Sequence, residues 1–403
     1  MSKGWQRGHA FCQVTAPFAM DLNVVSYGWT GSTKRGGINA DVVAVNSDDL
    51  PGEIQKKAQG WSGKVLFLAP LSAKHVNPLR VFSQLPKLLN SASQAHVAGV
   101  ITGSGRPGVM LTHTGPAAFK DSYFPIPVLD VASEHQITIQ RLLALKRPVR
   151  VKLDVDNTVV PSGTECFNVV ADIPGAEKPD EFVILAAHLD SWDLSPGAVD
   201  DAAGVGTVMA AADAIVSQSV RPTRTVRVVL FTGEEEGLLG SLAYMRMHRL
   251  EAGKIVAAYV CDWGTGPMTK IPLAGHQELV SPLQHFTQTV SDIAQLSVDS
   301  SYLVFTDAYS FTLAGIPGVA FLQNSPDYVQ IGHSAADTVD KVNKKNLSTN
   351  TAILGCLGYW TANYPSRLGL TYNRGQVAAS LKRDGQQPVL ELFDLWKLAS
   401  GAK

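Results

Sequence analysis

The sequence lacks the features that mark membrane-embedded, nucleic-acid-binding and low-complexity proteins. No apolar run approaches the roughly 18 residues needed to cross a bilayer, and no repeat or compositionally biased segment is present. The 34 basic and 35 acidic residues give a formal net charge of −1, without a long run of either sign. Nucleic acid and anionic membrane surfaces are therefore poor candidates as partners.

Cysteines are also few. The chain has four, and they are widely spaced: Cys12, Cys166, Cys261 and Cys356. This spacing fits neither a disulfide framework nor a zinc knuckle. We therefore expect four buried thiols.

The sequence does contain enough apolar material for more than one core. It has 403 residues, of which 45% are hydrophobic, and the usual size of a domain then favours two or three units. Short strand-like runs separated by turn-rich connections predict a small β-rich module with one or two helices over residues 36–149, preceded by a segment of residues 1–35. Residues 150–403 then form the main domain, and the polar stretch Asp154–Asn157 is a candidate boundary.

In the main domain, apolar runs alternate with helix-forming stretches. The predicted strands include Phe182–Leu189, Val226–Phe231, Val256–Val260 and Val319–Leu322. The predicted helices are Ala202–Gln218, Glu234–Leu250, Leu279–Leu296 and Asn346–Tyr364. Such alternation is typical of an α/β fold with a helix-covered, mostly parallel mixed sheet.

The densest functional signal is the stretch AAHLDSWDLSPGAVDDAAGVG, residues 186–206. His188 and Asp190 lie at or just past the carboxyl end of a predicted strand, where open α/β sheets bind their ligands. No lysine or arginine occurs from Glu181 to Ser219, so the crowded acids, Asp200 among them, have no basic partner nearby in the sequence. Because buried carboxylates require a paired charge or a cation, a metal ion is the most economical candidate.

Four further segments supply candidate ligands, and each also has an ordinary structural interpretation. Thr232 and Glu235, in FTGEEEGLLGS, fit a capping box at the start of a helix. Asp262, in VCDWG, fits a turn former or N-cap. Asp307, in FTDAYSF, fits an N-cap, and His333, in GHSAADT, fits a surface or hydrogen-bonded histidine. Taken singly, these alternatives remain open, but all the segments occur in order on one α/β scaffold.

Together these segments resemble the M28 family of co-catalytic zinc exopeptidases. The matching phrases are HLDSW, GAVDDAAG, FTGEEEGLLGS, CDWG and GHSAADT, and the resemblance extends from about Phe182 to the end of the predicted helix Asn346–Tyr364. It implies a zinc exopeptidase-like sheet domain. Through the phrases GKVL and AGVI, residues 36–149 resemble the protease-associated domain that those enzymes carry. Residues 1–35 would then be a remnant of the peptidase domain.

By this resemblance, the chain binds two zinc ions. Two imidazoles and three carboxylates are the implied ligands: His188, Asp200, Glu235, Asp262 and His333. Asp200 is the implied bridging carboxylate, whereas His188 and Glu235 are implied terminal ligands. This ligand set suits Zn²⁺ with open positions for water. The resemblance also implies a cis peptide bond between Asp200 and Asp201.

Two residues are implied to assist the metals. Asp190 is expected to orient His188 through a hydrogen bond, and Glu234 is expected to be the general base. Adjacent residues at a helix start point about 100° apart, so Glu235 can face the metals while Glu234 faces the attacking water.

Two more residues are candidates for binding the substrate. Tyr328 lies shortly before His333 and is a candidate donor to the oxyanion. Asp307 is expected to line the substrate pocket or to contact a substrate amine.

The implied activity is hydrolysis of dipeptides or of N-terminal residues of short peptides. One alternative is a non-catalytic binding or receptor-like homologue, but such a protein would lose ligands or the base, and this chain keeps all five candidates and Glu234. A second is acyl transfer with one zinc, which the expected Asp200 bridge disfavours. The expected partner is a peptide or dipeptide, with no nucleic acid and no membrane, and a homodimer is a further expectation. The resemblance implies a secreted or periplasmic location, although the sequence begins MSKGWQRGHAFCQVTAP, without a signal-like apolar core.

Overall fold

The computed structural model describes residues 4–46, 52–53, 60–69, 78–115, 123–393 and 395–401. By their contacts the residues divide into two compact units, Met1–Glu165 with His333–Ala335, and Cys166–Gly332 with Ala336–Lys403. The backbone amide of His113 donates to the carbonyl of His333, which groups that short segment with the first unit. Within the described ranges, no helix is long and apolar enough to cross a membrane.

The first unit contains one eight-stranded sheet. Its strands are β1 (Gly4–Ala16), β2 (Met20–Leu22), β3 (Val24–Ser26), β4 (Ile38–Asn46), β5 (Val65–Ala69), β6 (Gly99–Gly103), β7 (Val128–Val131) and β8 (Arg150–Val160). Their order is β2-β1-β8-β4-β5-β6-β7-β3. Strands β4 to β7 are parallel, and the remaining pairs are antiparallel.

Each face of this sheet packs against a helix, α1 (Pro78–Gln94) or α2 (Ser133–Ala144). Because successive side chains of a strand point to opposite faces, β5 contributes to two cores. Phe67 packs in the core that contains Ile139 of α2, and Leu66 packs in the core that contains Leu88 of α1. The small β-rich module expected from the sequence thus includes a layered α/β part.

The sequence-based division placed residues 1–35 and 150–403 outside this module. In the structure β1 and β8 belong to its sheet, paired from Gly4 opposite Val160 to Ala16 opposite Arg150. The polar stretch Asp154–Asn157 lies inside β8, and the two units divide after Glu165. Period-two alternation looks the same in every half-buried strand, so it does not reveal which sheet a strand joins. The protease-associated identity of the module stays a prediction.

One carboxylate is enclosed in the first unit. Asp130, on β7, has no exposed surface, and one of its oxygens accepts a hydrogen bond from the amide of Thr112. Burial raises the pKa of Asp130 to about 8, although the Thr112 amide and Arg106 oppose this. Between about pH 4 and 8, the folded protein therefore retains a proton that the unfolded chain releases.

We predict that this proton makes stability fall as the pH rises from about 4 to 8. The variant Asp130→Asn removes the titration and keeps an acceptor for Thr112. The melting temperature of the variant minus that of the wild type should therefore be several degrees more positive at pH 8 than at pH 5. Calorimetric scans at the two pH values measure the difference. Asp41→Asn is the control, because Lys64 lowers the pKa of the exposed Asp41 below this window. An equal response of both variants would contradict the prediction.

The second unit contains a five-stranded sheet in the order β15-β12-β10-β11-β9. The strands are β9 (Val169–Ile173), β10 (Lys178–His188), β11 (Arg224–Phe231), β12 (Ile255–Val260) and β15 (Gly318–Ala320). All neighbouring pairs are parallel except β11 with β9. A smaller sheet joins β13 (Met268–Pro272), β14 (Ser297–Asp299) and β16 (Leu322–Gln323).

Helices cover both faces of the five-stranded sheet, which confirms the predicted fold class. On one face Val183 and Leu185 pack with α3 (Ala203–Val216) and α8 (Lys344–Asn363). On the other face Ile184 packs with α4 (Leu239–Met247) and α6 (Ala308–Leu313). The remaining helices are α5 (Val280–Thr289), α7 (Tyr328–Ile331), α9 (Arg374–Arg383), α10 (Gln387–Leu392) and α11 (Trp396–Ser400).

Several predicted elements differ in extent. The helix expected over Leu279–Leu296 ends at Thr289, and the strand expected over Val319–Leu322 divides between two sheets, β15 and β16. The expectation of four buried thiols is wrong for two of them: Cys12 and Cys261 are buried, whereas Cys166 and Cys356 are exposed, and all four are free.

A fully buried arginine ties the start of β11 to the end of α8. The guanidinium of Arg224 donates to Glu181 at 2.5 Å. It also donates to three backbone carbonyls beyond or at the end of α8, those of Ala362, Tyr364 and Ser366. The planar five-donor group of arginine matches this set of acceptors.

We predict that Arg224→Met lowers the free energy of unfolding by about 1–3 kcal/mol, because it leaves the half-buried Glu181 and the three carbonyls without their donor. Arg224→Lys should lose less, since lysine keeps the charge but cannot reach all the acceptors. Urea unfolding of the three proteins measures the order. Equal stability of Arg224→Met and the wild type would contradict it.

Candidate metal centre

The candidate site lies where three neighbouring parallel strands end. His188 is the last residue of β10, Glu234 and Glu235 follow β11, and Asp262 follows β12. Strand β10 lies between the other two, so their carboxyl ends meet at one edge of the sheet. This is the edge at which α/β sheets bind ligands.

His188 is completely buried at the middle of the site. Its Nε2 lies 3.2 Å from an oxygen of Asp200 and 3.4 Å from an oxygen of Asp262. Its Nδ1 lies 3.1 Å from the backbone carbonyl oxygen of Asp190 and 3.7 Å from a side-chain oxygen of the same residue. One ring nitrogen thus faces two carboxylates, and the other faces the residue expected to orient it.

Two groups of potential ligand atoms occur among the described residues. In each group, the atoms lie within 4.8 Å of one another. One group consists of His188, Asp201 and Asp262, and the other of Asp200, Glu235 and His333. Since an oxygen of Asp200 also lies 3.2 Å from His188, Asp200 is close to both groups. The five residues predicted as ligands are therefore brought together.

Sequence reasoning gave no role to two acids that the structure places beside Asp200. Asp201 accepts hydrogen bonds from the amides of His188 and Gly204, and the peptide bond between Asp200 and Asp201 is cis. Asp337 is fully buried and accepts from the amides of Val199, at 2.6 Å, and Asp200, at 3.2 Å. Both acids occur in the quoted phrases GAVDDAAG and GHSAADT. Sequence reasoning had them in view but could not show that they are buried beside Asp200.

Asp190 has a second function besides facing His188. Its two carboxylate oxygens accept hydrogen bonds from the amides of Glu234, at 3.2 Å, and Glu235, at 3.3 Å. A single carboxylate thus holds the backbone of both glutamates. Loss of the Asp190 carboxylate would therefore disturb both His188 and this backbone.

The sequence predicted that a helix begins at the two glutamates, but the structure has no helix start there. They lie in a turn, and α4 begins only at Leu239, after Leu238 as N-cap without a side-chain cap, so the capping-box interpretation is wrong. Gly233 and Gly237 adopt positive φ on either side of the glutamates. This conformation, which favours glycine, closes the turn before the helix can start.

The site carries more negative charge than its own basic groups can balance. Burial, and then the charge of Asp262, raise the pKa of Glu234 well above its ordinary value. Burial also raises the pKa of Asp201 and Asp262. Burial lowers the pKa of His188, but hydrogen bonds with Asp190, Asp200 and Asp262 raise it by more. The net result is a pKa well above the ordinary value. Protons or a cation must therefore compensate these carboxylates.

The two residues expected to bind substrate have different positions. The hydroxyl of Tyr328 donates to Asp200 at 2.7 Å, so this side chain does reach the candidate metal centre. Asp307 has no exposed surface, and burial raises its pKa to about 7 against the opposing effects of His188 and Ser241. Its contact with a substrate stays a prediction.

The residues present fit zinc ions. The donor atoms are imidazole nitrogens and carboxylate oxygens, which zinc accepts in sites that retain an open position. One oxygen of Asp262 is buried without a hydrogen-bond partner among the described residues, as expected of an atom that binds a cation.

Comparisons with known proteins agree with this arrangement. Residues 168–356 match Peptidase family M28, so this part of the chain is similar to the peptidases of that family. It is similar to carboxypeptidase Q of Mus musculus, with 26% identity over 364 residues that cover 90% of this chain and 76% of the relative. Carboxypeptidase Q of Homo sapiens is likewise 26% identical, over 367 residues, with the same coverage.

Two solved structures support the fold. A peptidase M28 precursor from Shewanella amazonensis superposes with a TM-score of 0.79 at 26% identity, covering 92% of this chain and 84% of that one. A zinc aminopeptidase from Bacillus subtilis superposes with a TM-score of 0.63 at 17% identity, covering 93% and 88%. The likeness to the Bacillus subtilis enzyme shows the fold alone, whereas the likeness to the Shewanella amazonensis protein also agrees with the family match.

We predict that zinc stabilises the folded protein, because it neutralises carboxylates that repel one another in its absence. At a hundredfold excess over the dissociation constant, zinc should raise the melting temperature by about 5–10 °C. Asp200→Ala should lose most of this increase, whereas Asp193→Asn, an exposed residue of the same loop, should keep it. Thermal unfolding with zinc and with a chelator measures the effect, and an undiminished increase in Asp200→Ala would refute the assignment.

Proposed function

We propose that the chain is a two-zinc exopeptidase that hydrolyses dipeptides or removes N-terminal residues from short peptides. The observation that carries this proposal is the position of Asp200, close to both groups of potential ligands and beside the turn that holds Glu234. A carboxylate has two oxygens and can bind two cations about 3.5–4 Å apart, the separation typical of two-metal hydrolases.

Each predicted ligand then has a place. His188 and Asp262 would hold one zinc, Glu235 and His333 the other, and Asp200 would bind both. Bound zinc would polarise the scissile carbonyl and lower the pKa of the attacking water. Asp201 shares the first group, but the amides of His188 and Gly204 occupy its oxygens. We therefore assign it to the support of the site.

Glu234 is the proposed general base. It lies three residues after the end of β11, its backbone amide donates to Asp190, and its carboxylate interacts with Asp262 and Glu235. As a carboxylate it would accept a proton from the attacking water. The same proton passes to the leaving amine, which restores the carboxylate.

Tyr328 is the proposed donor to the oxyanion. Its hydroxyl already lies against Asp200, and its ring lies 5.8 Å, between centroids, from that of Trp263. To donate to a developing negative charge, the single hydroxyl proton would have to turn away from Asp200, which requires rotation about the phenolic C–O bond but no movement of the ring.

We predict that Glu234→Gln lowers kcat by about a hundredfold to ten-thousandfold, because glutamine cannot accept the proton. The variant should still bind two zinc ions per chain, since Glu234 is not a proposed ligand. Zinc content and dipeptide hydrolysis are measured together in the wild type, in Glu234→Gln and in Asp193→Asn, which should match the wild type. A wild type that hydrolyses no peptide with zinc bound, or a variant of unchanged kcat, would overturn the proposed function.

A further inference from the structure

A cleft of about 190 Å³ adjoins the candidate metal centre and contains none of its predicted ligands. Its buried floor includes Val199, Gly266 and Ile331, and the ring of Tyr328 forms one wall. The hydroxyl of the same tyrosine donates to Asp200. The cleft and the metal centre are thus separated by the width of one side chain.

The walls of the cleft are held by hydrogen bonds. The amide of Gly266 donates to Ser325 Oγ at 2.7 Å, and the side chain of Asn346 donates to the carbonyl of Thr265 at 3.1 Å. A Cβ at Gly266 would lie 2.0 Å from the carbonyl oxygen of Asn324. Glycine at this position is therefore required for the two loops to meet, and the cleft is formed before any ligand arrives.

The exposed rim of the cleft is polar and carries a cation. Lys341 lines it together with Asn343 and Asn346, and among the described residues the ammonium group of Lys341 pairs with the exposed Asp340. An exposed ion pair of this kind contributes little to stability, so Lys341 can readily exchange Asp340 for another carboxylate. Asp327 is the only acid that lines the cleft.

The surroundings of the rim are basic as well. Asn343 caps α8, whose first turn contains two further lysines, Lys344 and Lys345, and no acid. The metal centre has the opposite character, since Glu236, which is not a predicted ligand, lies there within the negative field of Asp190 and Glu235. A zwitterionic peptide would be oriented by this difference, with its ammonium group towards the acids and its carboxylate towards Lys341.

We propose that this cleft binds the carboxyl-terminal residue of the substrate, with the free α-carboxylate at Lys341 and the side chain on the floor beside Tyr328. This inference rests on the proposed function and narrows it, because it selects peptides short enough for the carboxyl terminus to reach the cleft. Consecutive Cα atoms are 3.8 Å apart, so a dipeptide has the right reach for a cleft one side chain away from the scissile bond.

The test compares a dipeptide with the same dipeptide amidated at its carboxyl terminus. In the wild type the free carboxylate should be preferred. In Lys341→Met, KM for the free dipeptide should rise about tenfold, in line with the loss of one charged hydrogen bond, whereas KM for the amide should stay unchanged. Lys345→Met, which removes an exposed charge from the same helix end but does not line the cleft, should leave both values near those of the wild type.

Asp327→Asn tests the sign of the interaction. If the cleft binds a carboxylate, removing this acid should lower KM for the free dipeptide two- to threefold. A higher KM in Asp327→Asn, combined with a lower one in Lys341→Met, would show that the cleft binds the ammonium end and would overturn the inference. Equal KM values in Lys341→Met and Lys345→Met would overturn it too.

A binding measurement separates this inference from the proposed function. Calorimetry with zinc-loaded Glu234→Gln follows the binding of the intact dipeptide without turnover, and Lys341→Met in that background should weaken binding about tenfold for the free dipeptide alone. If the wild type hydrolyses nothing while this selective loss is observed, the proposed function fails and the cleft assignment stands. If hydrolysis depends on Glu234 while the selective loss is absent, the cleft assignment fails.

Discussion

Mutual repulsion among buried carboxylates is the constraint on which the second unit depends. Parallel strands β12, β10 and β11 bring their carboxyl ends together, and each end delivers an acid or an imidazole. A cation at this edge would turn the repulsion into attraction, so the same residues that destabilise an empty site would stabilise an occupied one. Under the proposed function, binding of the metal would therefore be coupled to the stability of this edge of the sheet.

Acids that are not proposed ligands fix the positions of those that are. Asp337 holds the backbone of Asp200, and Asp190 holds the turn that carries Glu234 and Glu235. Each of them accepts two amide hydrogen bonds, which reduces the freedom of the backbone more than one contact would. The positions of the proposed ligands thus depend on main-chain hydrogen bonds that lie one layer behind them.

The sequence predicted the sheet well because β10 to β12 are apolar on both faces, a pattern that few other structures produce. It also predicted that His188, Asp200, Glu235, Asp262 and His333 would lie together, because strand ends and quoted phrases both marked them. It failed where tertiary contacts override local preference. Acids at 234 and 235 look like the start of a helix, but two glycines with positive φ and the carboxylate of Asp190 hold them in a turn. The partner of β8 was equally hidden, because strand pairing over 140 residues leaves no local trace.

That pairing has a consequence for how the first unit is connected. Strands β1 and β8 lie side by side, with Gly4 opposite Val160, so the two ends of this unit's main segment are neighbours in space. A segment whose ends are adjacent tolerates circular permutation more readily than one whose ends are far apart. Residues added to loops of this unit that are distant from Gly4 and Val160 would leave the pairing of β1 with β8 unchanged.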